Sequence, residues 1–468
     1  LRNEPQESEE QVVDSDRAEV VVVGAGIVGL ACAYYLSTRH RDNGIVLVDP
    51  RPPMSLTSAP SGENYRNWWP HPTMTAFTDY SIDLLEIIAR KSGNRIHMTR
   101  RGYVFATRQA DPTALLARLD IGYGKEGANH VRIHPSGSSK TYRPAALSDW
   151  ESAPNGVDVI QDRSVIRRHF PSFDPAIATI LHIRRAGDIS GQQLGALMLE
   201  HVRSRGGSLR AARIIAIEKA SDFVLTLQGR DSVTRLRADI VVNAAGPYAQ
   251  DVAAMLGEQL PMMNVFQQKI AFADGERAID RTMPFSIDLD PQIIDWTDEE
   301  KATLREDATT HWLTQPMPGA IHCRPEGGGE GKWIKLGWAY NRTPSKPEDD
   351  LVPDPRFPDI VLRGASRLHP GLKRYYGRLP RQMSHYGGYY SMTKENWPLI
   401  GPMKTKGAYV AGALSGFGTM GACAAGVLCA AWVRDAGRPA FASQLSLTRY
   451  EDEELMQQLP DGTDTGVL

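Results

Sequence analysis

Residues 19–49 read EVVVVGAGIVGLACAYYLSTRHRDNGIVLVD, and no other stretch limits the fold so tightly. Val20 to Val23 form a short β-branched run of the kind that fills a central parallel strand. Gly24, Gly26 and Gly29 follow in G-x-G-x-x-G spacing, then a helix-period run through Leu30, Tyr34 and Leu36. A second strand, Ile45 to Val48, ends at Asp49. Each part has a physical task. Gly24 permits the tight turn, Gly26 lets backbone N–H groups reach a pyrophosphate, and Gly29 lets the helix lie close to the sheet. Ile27 and Val28 stand at the helix N-terminus, whose free N–H groups and dipole favour phosphate. Asp49 is placed to accept ribose hydroxyls, with Pro50 and Arg51 continuing that edge. The unit predicts a Rossmann-type dinucleotide site without choosing the dinucleotide.

Such a unit uses only part of 468 residues, so a second lobe is expected. Lys plus Arg is 53 and Asp plus Glu is 55, a balance that gives no argument for nucleic acid or an anionic membrane as partner. Residues 1–18 are acidic and read as a mobile tail without the pattern of a signal peptide. Cys32, Cys323, Cys423 and Cys429 form no CxxC pair, which points to reduced thiols, no metal and a cytoplasmic location. The apolar stretch from Ala408 to Val433 is interrupted by Ser-Gly-Phe-Gly-Thr. It reads as a buried helix after a glycine turn rather than a membrane span.

Two further stretches fix the cofactor. ADIVVNAAGPYAQDVAAMLG (238–257) is an apolar strand, an Ala-Ala-Gly turn and a helix, with Ala245, Gly246 and Tyr248 at the turn. The third, from Tyr390 to Val433, holds T-x-E-x-x-P-x-x-G (Thr393, Glu395, Pro398, Gly401) and S-G-F-G. Gly416 and Gly418 leave the backbone bare before a helix whose N-terminus can stabilise negative charge. In combination these motifs resemble the FAD-dependent D-amino-acid oxidase superfamily, its sarcosine oxidase-like and glycine oxidase-like members in particular. The third motif has Glu395 where the family usually has Asp.

The resemblance implies an α/β fold: a Rossmann-type FAD-binding domain (19–90, 188–257 and 385–440) interleaved with an α+β substrate domain on a mixed or antiparallel sheet (91–187 and 258–384). Residues 441–468 are left as a C-terminal tail. The resemblance further implies that Ser61 and Gly62 cross the flavin, that Ile214 meets the adenine, and that Phe417, Thr419 and Met420 continue the site after Gly416. Arg66 is implied at the flavin or a substrate carboxylate, with Tyr390 beside the substrate. Trp68 and Trp69 are candidates to hold a substrate amine by cation–π attraction, and one core and one rim residue on the other reading. His71 is a candidate proton acceptor, and a structural residue before Pro72 on the other reading. Lys335, in Lys-Leu-Gly, is implied to promote reaction with O₂. A family lysine that anchors substrate carboxylate falls on Met420, and a flavin-tethering cysteine falls on Gly388, so FAD is expected to be non-covalent.

The activity so implied is oxidation of the C–N bond of an amino acid or N-substituted amine, giving an imine and, with O₂, hydrogen peroxide. One alternative passes the electrons to a quinone or electron-transfer flavoprotein; another is a flavin-binding assembly protein without turnover. Local patterns predict helices over 74–91, from Pro112 behind Asp111, over 188–207, and behind a Thr297/Glu300 capping box. Residues 124–158 read as surface loop. The insertion 275–331 reads as a lid, an oligomer contact or a surface elaboration.

Overall fold

The computed structural model describes residues 13–42, 44–124, 127–137, 141–145, 150–327, 329–349 and 351–459. Its first sheet has the strand order Arg213–Lys219, Phe223–Gln228, Val233–Asn243, Val13–Val23, Val46–Asp49, Ser208–Ala211. Val13–Val23 runs parallel to both Val233–Asn243 and Val46–Asp49, so apolar residues on both of its faces are buried. Ala408–Gly412 adds parallel to the end of Val233–Asn243. Residues 13–18 belong to the first strand, where the sequence predicted a tail. Residues 1–12 of that tail lie outside the described residues.

Helices Ile27–Arg39, Pro72–Lys91, Gly191–Ser204 and Gly418–Val433 contribute to one core cluster with this sheet. Gly418–Val433 and Ile27–Arg39 touch nearly backbone to backbone: a β-carbon on Gly426 would stand 2.5 Å from the Ala31 carbonyl carbon. Its buried alanines and cysteines thus serve an interior helix. Among the described residues, no helix is long and apolar enough to cross a membrane.

The second sheet has nine strands, in the order Ser384–Met392, Met263–Ala273, Trp333–Gly337, Ile321–Pro325, Phe285–Asp288, Tyr103–Thr107, Thr179–Ile183, Val157–Ile160, Val131–His134. Only Phe285–Asp288 with Tyr103–Thr107 and Val131–His134 with Val157–Ile160 are parallel pairs. Val131–His134 lies within the stretch read as loop and Val157–Ile160 begins at its end; both are four residues long, too short to stand out between glycines and prolines.

Several local signals translate directly. Thr297 and Glu300 make the reciprocal capping box, and Ser190 caps Gly191–Ser204. Asp111 Oδ1 accepts from Thr113 N at 3.0 Å, but the helix starts at Thr113, one residue later than Pro112, so Asp111 stands two residues ahead of it. The helix Asp298–Glu306, inside the 275–331 insertion, is tied to the helix Phe357–Ser366. Arg363 bonds Glu300 at 2.6 Å and lies over the Trp296 ring. This contact favours the surface-elaboration reading of that helix over the lid.

Residues 441–459, expected as tail, form short helices packed on the body of the molecule. Arg449, 1% exposed, donates from Nε to Glu395 Oε1 at 2.6 Å and from Nη1 to the Pro398 carbonyl at 2.6 Å. Tyr450 bonds the same carboxylate oxygen. Glu395 is itself 4% exposed, so removing its partner strands a buried charge. Arg449→Met is expected to lower stability by about 3–5 kcal/mol in chemical denaturation, whereas substitution of the exposed ion-paired Arg95 should leave the denaturation midpoint nearly unchanged.

Candidate active site

The strand Val13–Val23 ends in a turn that has no room for side chains. Gly24 has φ +104°, and a β-carbon there would fall 2.4 Å from the Ala244 carbonyl oxygen. One on Gly29 would fall 2.0 Å from the Gly24 carbonyl oxygen. The turns after Val23 and Asn243 are therefore pressed together, joined by Ala244 N donating to Val23 O at 2.9 Å. Above them opens a cavity of about 1090 Å³. Gly24, Gly26, Ile27, Val28 and Asp49 line it from the first unit, Ala245 and Gly246 from the second, and Gly416, Gly418 and Thr419 from the third. The loop residues Ser61 and Gly62 close one side, where Ser61 Oγ and Thr419 Oγ1 are 2.7 Å apart.

These residues fit a flavin dinucleotide. Helices Ile27–Arg39 and Gly418–Val433 both begin at the cavity wall, so two positive dipole ends face it. Asp49 accepts from Ala25 N at 2.8 Å and from Arg51 N at 2.9 Å, which fixes its carboxylate at the cavity's edge. Gly412 and Gly418 also line it, and a β-carbon on either would meet no protein atom within 4 Å. The space beside them is where a planar ring can lie against bare backbone.

Other expected cofactor residues do not line this cavity. Gly29 packs beneath it, as its contact with Gly24 shows. Arg51 lies over the Tyr248 ring and both bond Asp349, an external strut. Pro50 is exposed beside it. Ile214 is buried in the strand Arg213–Lys219, within the core cluster beneath that face of the sheet. Phe417 and Met420 line a second cavity instead.

That second cavity, about 660 Å³, shares Ser61, Gly62, Lys269, Tyr390 and Gly416 with the first. Arg66 is its cation. The side chain is 1% exposed and its guanidinium carbon lies 4.8 Å from the ring centroids of both Trp69 and Tyr103, with Phe105 at 5.2 Å. Nε donates to the Trp68 carbonyl at 3.0 Å. Among the described residues no carboxylate pairs with Arg66. Burial lowers its pKa from the usual arginine range, yet a guanidinium stays charged in proteins. A buried cation held by rings and one carbonyl is suited to an incoming anion. Met420 Sδ accepts from Arg66 N at 3.3 Å, so Met420 packs against the arginine's backbone.

The paired tryptophans separate. Trp69 lines the second cavity and meets Phe417 edge-on at 4.8 Å; Trp68 is buried against Phe105 and does not line it. Adjacent extended residues point to opposite sides, so only one could face substrate. His71 is a helix cap: Nδ1 accepts from Thr73 N at 3.2 Å and the ring packs on Trp397. It lines neither cavity, which removes it as the proton acceptor.

Lys335, the expected promoter of the O₂ reaction, stands behind the cavity wall. Its Nζ lies 3.0 Å from Glu326 and donates to the Ser61 carbonyl at 3.4 Å, but it does not line either cavity. The lysine that lines both is Lys269, which the sequence reading passed over. Burial, then the nearby charges of Lys335 and Arg324, lower its pKa to about 7. Its signal was a lone lysine in the apolar run NVFQQKIAFA. His322, Tyr103 and Asn396 were also missed. Burial, then Lys269, lowers the His322 pKa to about 3, so it is a neutral wall. Asn396 has φ +60°, and its buried Oδ1 lacks a hydrogen-bond partner. Glu63, Ala413 and Ser415, at the walls of these cavities, also have positive φ; such conformations collect where a ligand site over-determines the backbone.

Residues 19–432 match the FAD dependent oxidoreductase (DAO) family. The chain is 25% identical over 351 residues to a glycine oxidase of Pseudomonas putida, covering 70% of this chain and 83% of that one. The fold is similar to L-proline dehydrogenase from P. horikoshii (TM-score 0.67, 17% identity, 94% of this chain and 99% of that one). It is equally similar to glycine oxidase from Geobacillus kaustophilus (TM-score 0.67, 16% identity, 92% and 99%).

If the bare backbone beside Gly412 receives the ring, Gly412→Val should fold with a melting temperature within a few degrees of wild type while losing at least about tenfold in FAD affinity. Visible absorbance per mole of protein and calorimetry check the two halves.

Proposed function

We propose, from the premise that this chain belongs to the FAD-dependent oxidoreductase (DAO) family, that it oxidises a small amine carrying a carboxylate: an amino acid or N-substituted amino acid. The observation that carries this reading is Arg66, a buried guanidinium on the wall of the second cavity with no carboxylate of its own among the described residues. A substrate carboxylate meets it in a medium where charge-assisted hydrogen bonds are strong.

FAD, when bound, supplies the redox chemistry by accepting hydride from the substrate C–H bond next to nitrogen. The chain's residues orient and insulate. Trp69, Tyr103, Phe285, Ile287, Phe417 and Met420 give the substrate cavity apolar walls that exclude water. Asn396 Oδ1 is a free acceptor for an amine N–H. The N-terminus of Gly418–Val433 stabilises negative charge at the cavity wall. Carboxylate at Arg66 and nitrogen at Asn396 would fix the substrate at two points, which limits how its α-carbon can face the cofactor cavity.

O₂ is the electron acceptor on this reading, giving hydrogen peroxide. The dehydrogenase reading is favoured by one observation: Glu326 takes up the charge of Lys335, the cation expected to draw O₂. A cytoplasmic location belongs to the same proposal, supported by four buried free thiols.

A panel of amines, each added anaerobically to the purified flavoprotein, should bleach the flavin only for members with a carboxylate. An oxygen electrode then separates oxidase from dehydrogenase. Bleaching by no amine would leave the assembly-protein reading standing. Arg66→Met should retain FAD and weaken binding of carboxylate amines by about 10- to 150-fold, matching about 1.5–3 kcal/mol for a hydrogen bond to a charged group. Equal affinity in wild type and variant would remove Arg66 as the anchor.

A further inference from the structure

Lys269 lies in the strand Met263–Ala273 and lines both cavities. Its Nζ donates to the Pro60 carbonyl at 3.0 Å, and a β-carbon on Gly62 would stand 3.8 Å from it. Among the described residues no carboxylate lies within ion-pair distance. Lys335, one strand away, differs in this respect: its partner is Glu326. The groups around Lys269 are Lys335, Arg324, Glu326 and His322 from the neighbouring strands and the turn after them, Glu63 from the loop, and Tyr386 opposite it in register. Burial is the largest influence and the cations Lys335 and Arg324 come next, outweighing Glu326 and Glu63, so the amine loses its proton near pH 7. His322 is already neutral there, and Tyr103 and Tyr390 have pKa values raised by burial.

The chemistry has a use for such a group. An amino acid reaches the cavity mostly as its ammonium form, and an ammonium nitrogen has no lone pair to form the C=N bond of an imine. A lysine of ordinary pKa, about 10.4, would itself be protonated at neutral pH and could accept nothing. A lysine whose pKa is lowered to about 7 and which sits where the two cavities meet is largely unprotonated at pH 7.5 and can accept the proton.

We propose that Lys269 is the catalytic base of amine oxidation, taking a proton from the ammonium group of the bound substrate. This rests on reading the second cavity as an amine site. One N–H bond of the ammonium breaks and one N–H bond forms at Lys269 Nζ. The positive charge passes from substrate to lysine, the electron pair stays on the substrate nitrogen, and no oxidant is consumed. The Pro60 carbonyl then accepts from the new ammonium.

The test uses the FAD-loaded enzyme with sarcosine, glycine and L-proline as probes. Without substrate, the visible spectrum of the bound flavin should show a transition near pH 7, because the lysine's charge changes beside the cofactor cavity. Lys269→Met should abolish it. Lys335→Met should move it to higher pH, since a repelling cation has gone. In anaerobic mixing, the wild-type bleaching rate should rise with pH through the same transition. Lys269→Arg keeps a cation but no base, and should bleach about 10²- to 10⁴-fold more slowly at pH 7.5 when rates are compared per bound FAD. The proposal is overturned if the spectral transition survives in Lys269→Met, or if Lys269→Arg bleaches as fast as wild type. Failure of all three probes and of the wider panel to bleach wild type would overturn the functional reading itself. That outcome is distinct, because the base alone fails only when wild type bleaches.

Discussion

The Ala244 carbonyl oxygen stands 2.4 Å from where a β-carbon on Gly24 would be, and the Gly24 carbonyl stands 2.0 Å from where one on Gly29 would be. These absences of side chain let the ends of two parallel strands and the start of a helix occupy one small volume. The strand Val13–Val23 and the strand Val233–Asn243 are more than two hundred residues apart in the chain but keep one register from Asp16 and Leu236 up to Val23 and Asn243. Their shared end sets the floor of the cofactor cavity. The third glycine turn reaches the same floor because Ala408–Gly412 continues the sheet in parallel. The strand ends, and so the following turns and helix N-termini, must then point one way.

That geometry explains which parts of the site could be read from sequence. Glycine turns, caps and the strand–helix–strand order are local, and each has a backbone reason that survives whatever the rest of the chain does. The capping box at Thr297 and the turn at Gly24 are of this kind. The identity of the cavity lysine is not. Lys335 pairs across the sheet with Ala271, and Lys269 with Gly337, so the two lysines sit on adjacent strands in a register that no local pattern reveals. Which one faces the cavity depends further on Glu326, contributed by the stretch after Ile321–Pro325. Trp68 and Trp69 pose the same problem in miniature. Alternation requires that they diverge but cannot say which one goes inward. His71 could be read locally as the residue before a helix-starting proline, and the structure returns it to that role.

Glu395 shows how a one-methylene change in a motif is absorbed. Its carboxylate is met from the far end of the chain by Arg449 and Tyr450, and Arg449 also satisfies the Pro398 carbonyl. Asn396, the next residue, is held with φ +60° and its Oδ1 unpartnered at the wall of the substrate cavity. A buried ion pair is weak evidence for stability. Here it has a positional consequence, because the strained residue that lines the cavity is bonded to the one that the pair immobilises.

The two cations on the cavity walls answer different chemical needs. Arg66 is ringed by Trp69, Tyr103 and Phe105, which solvate a charge through their π faces without neutralising it. Guanidinium is suited to that setting because it does not surrender its proton, so a carboxylate finds a partner at every physiological pH. Around Lys269 the cations Lys335 and Arg324 outweigh Glu326 and Glu63, the neighbouring histidine is neutral, and the hydrogen bond that holds it goes to a carbonyl. An ammonium in that position is poorly supported and a free amine is tolerated. A permanent charge that binds and a labile one that exchanges a proton cannot be swapped between the two sites: a lysine ringed by aromatics would lose the bidentate fork, and an arginine between Lys335 and Arg324 would keep its proton and repel the substrate's ammonium.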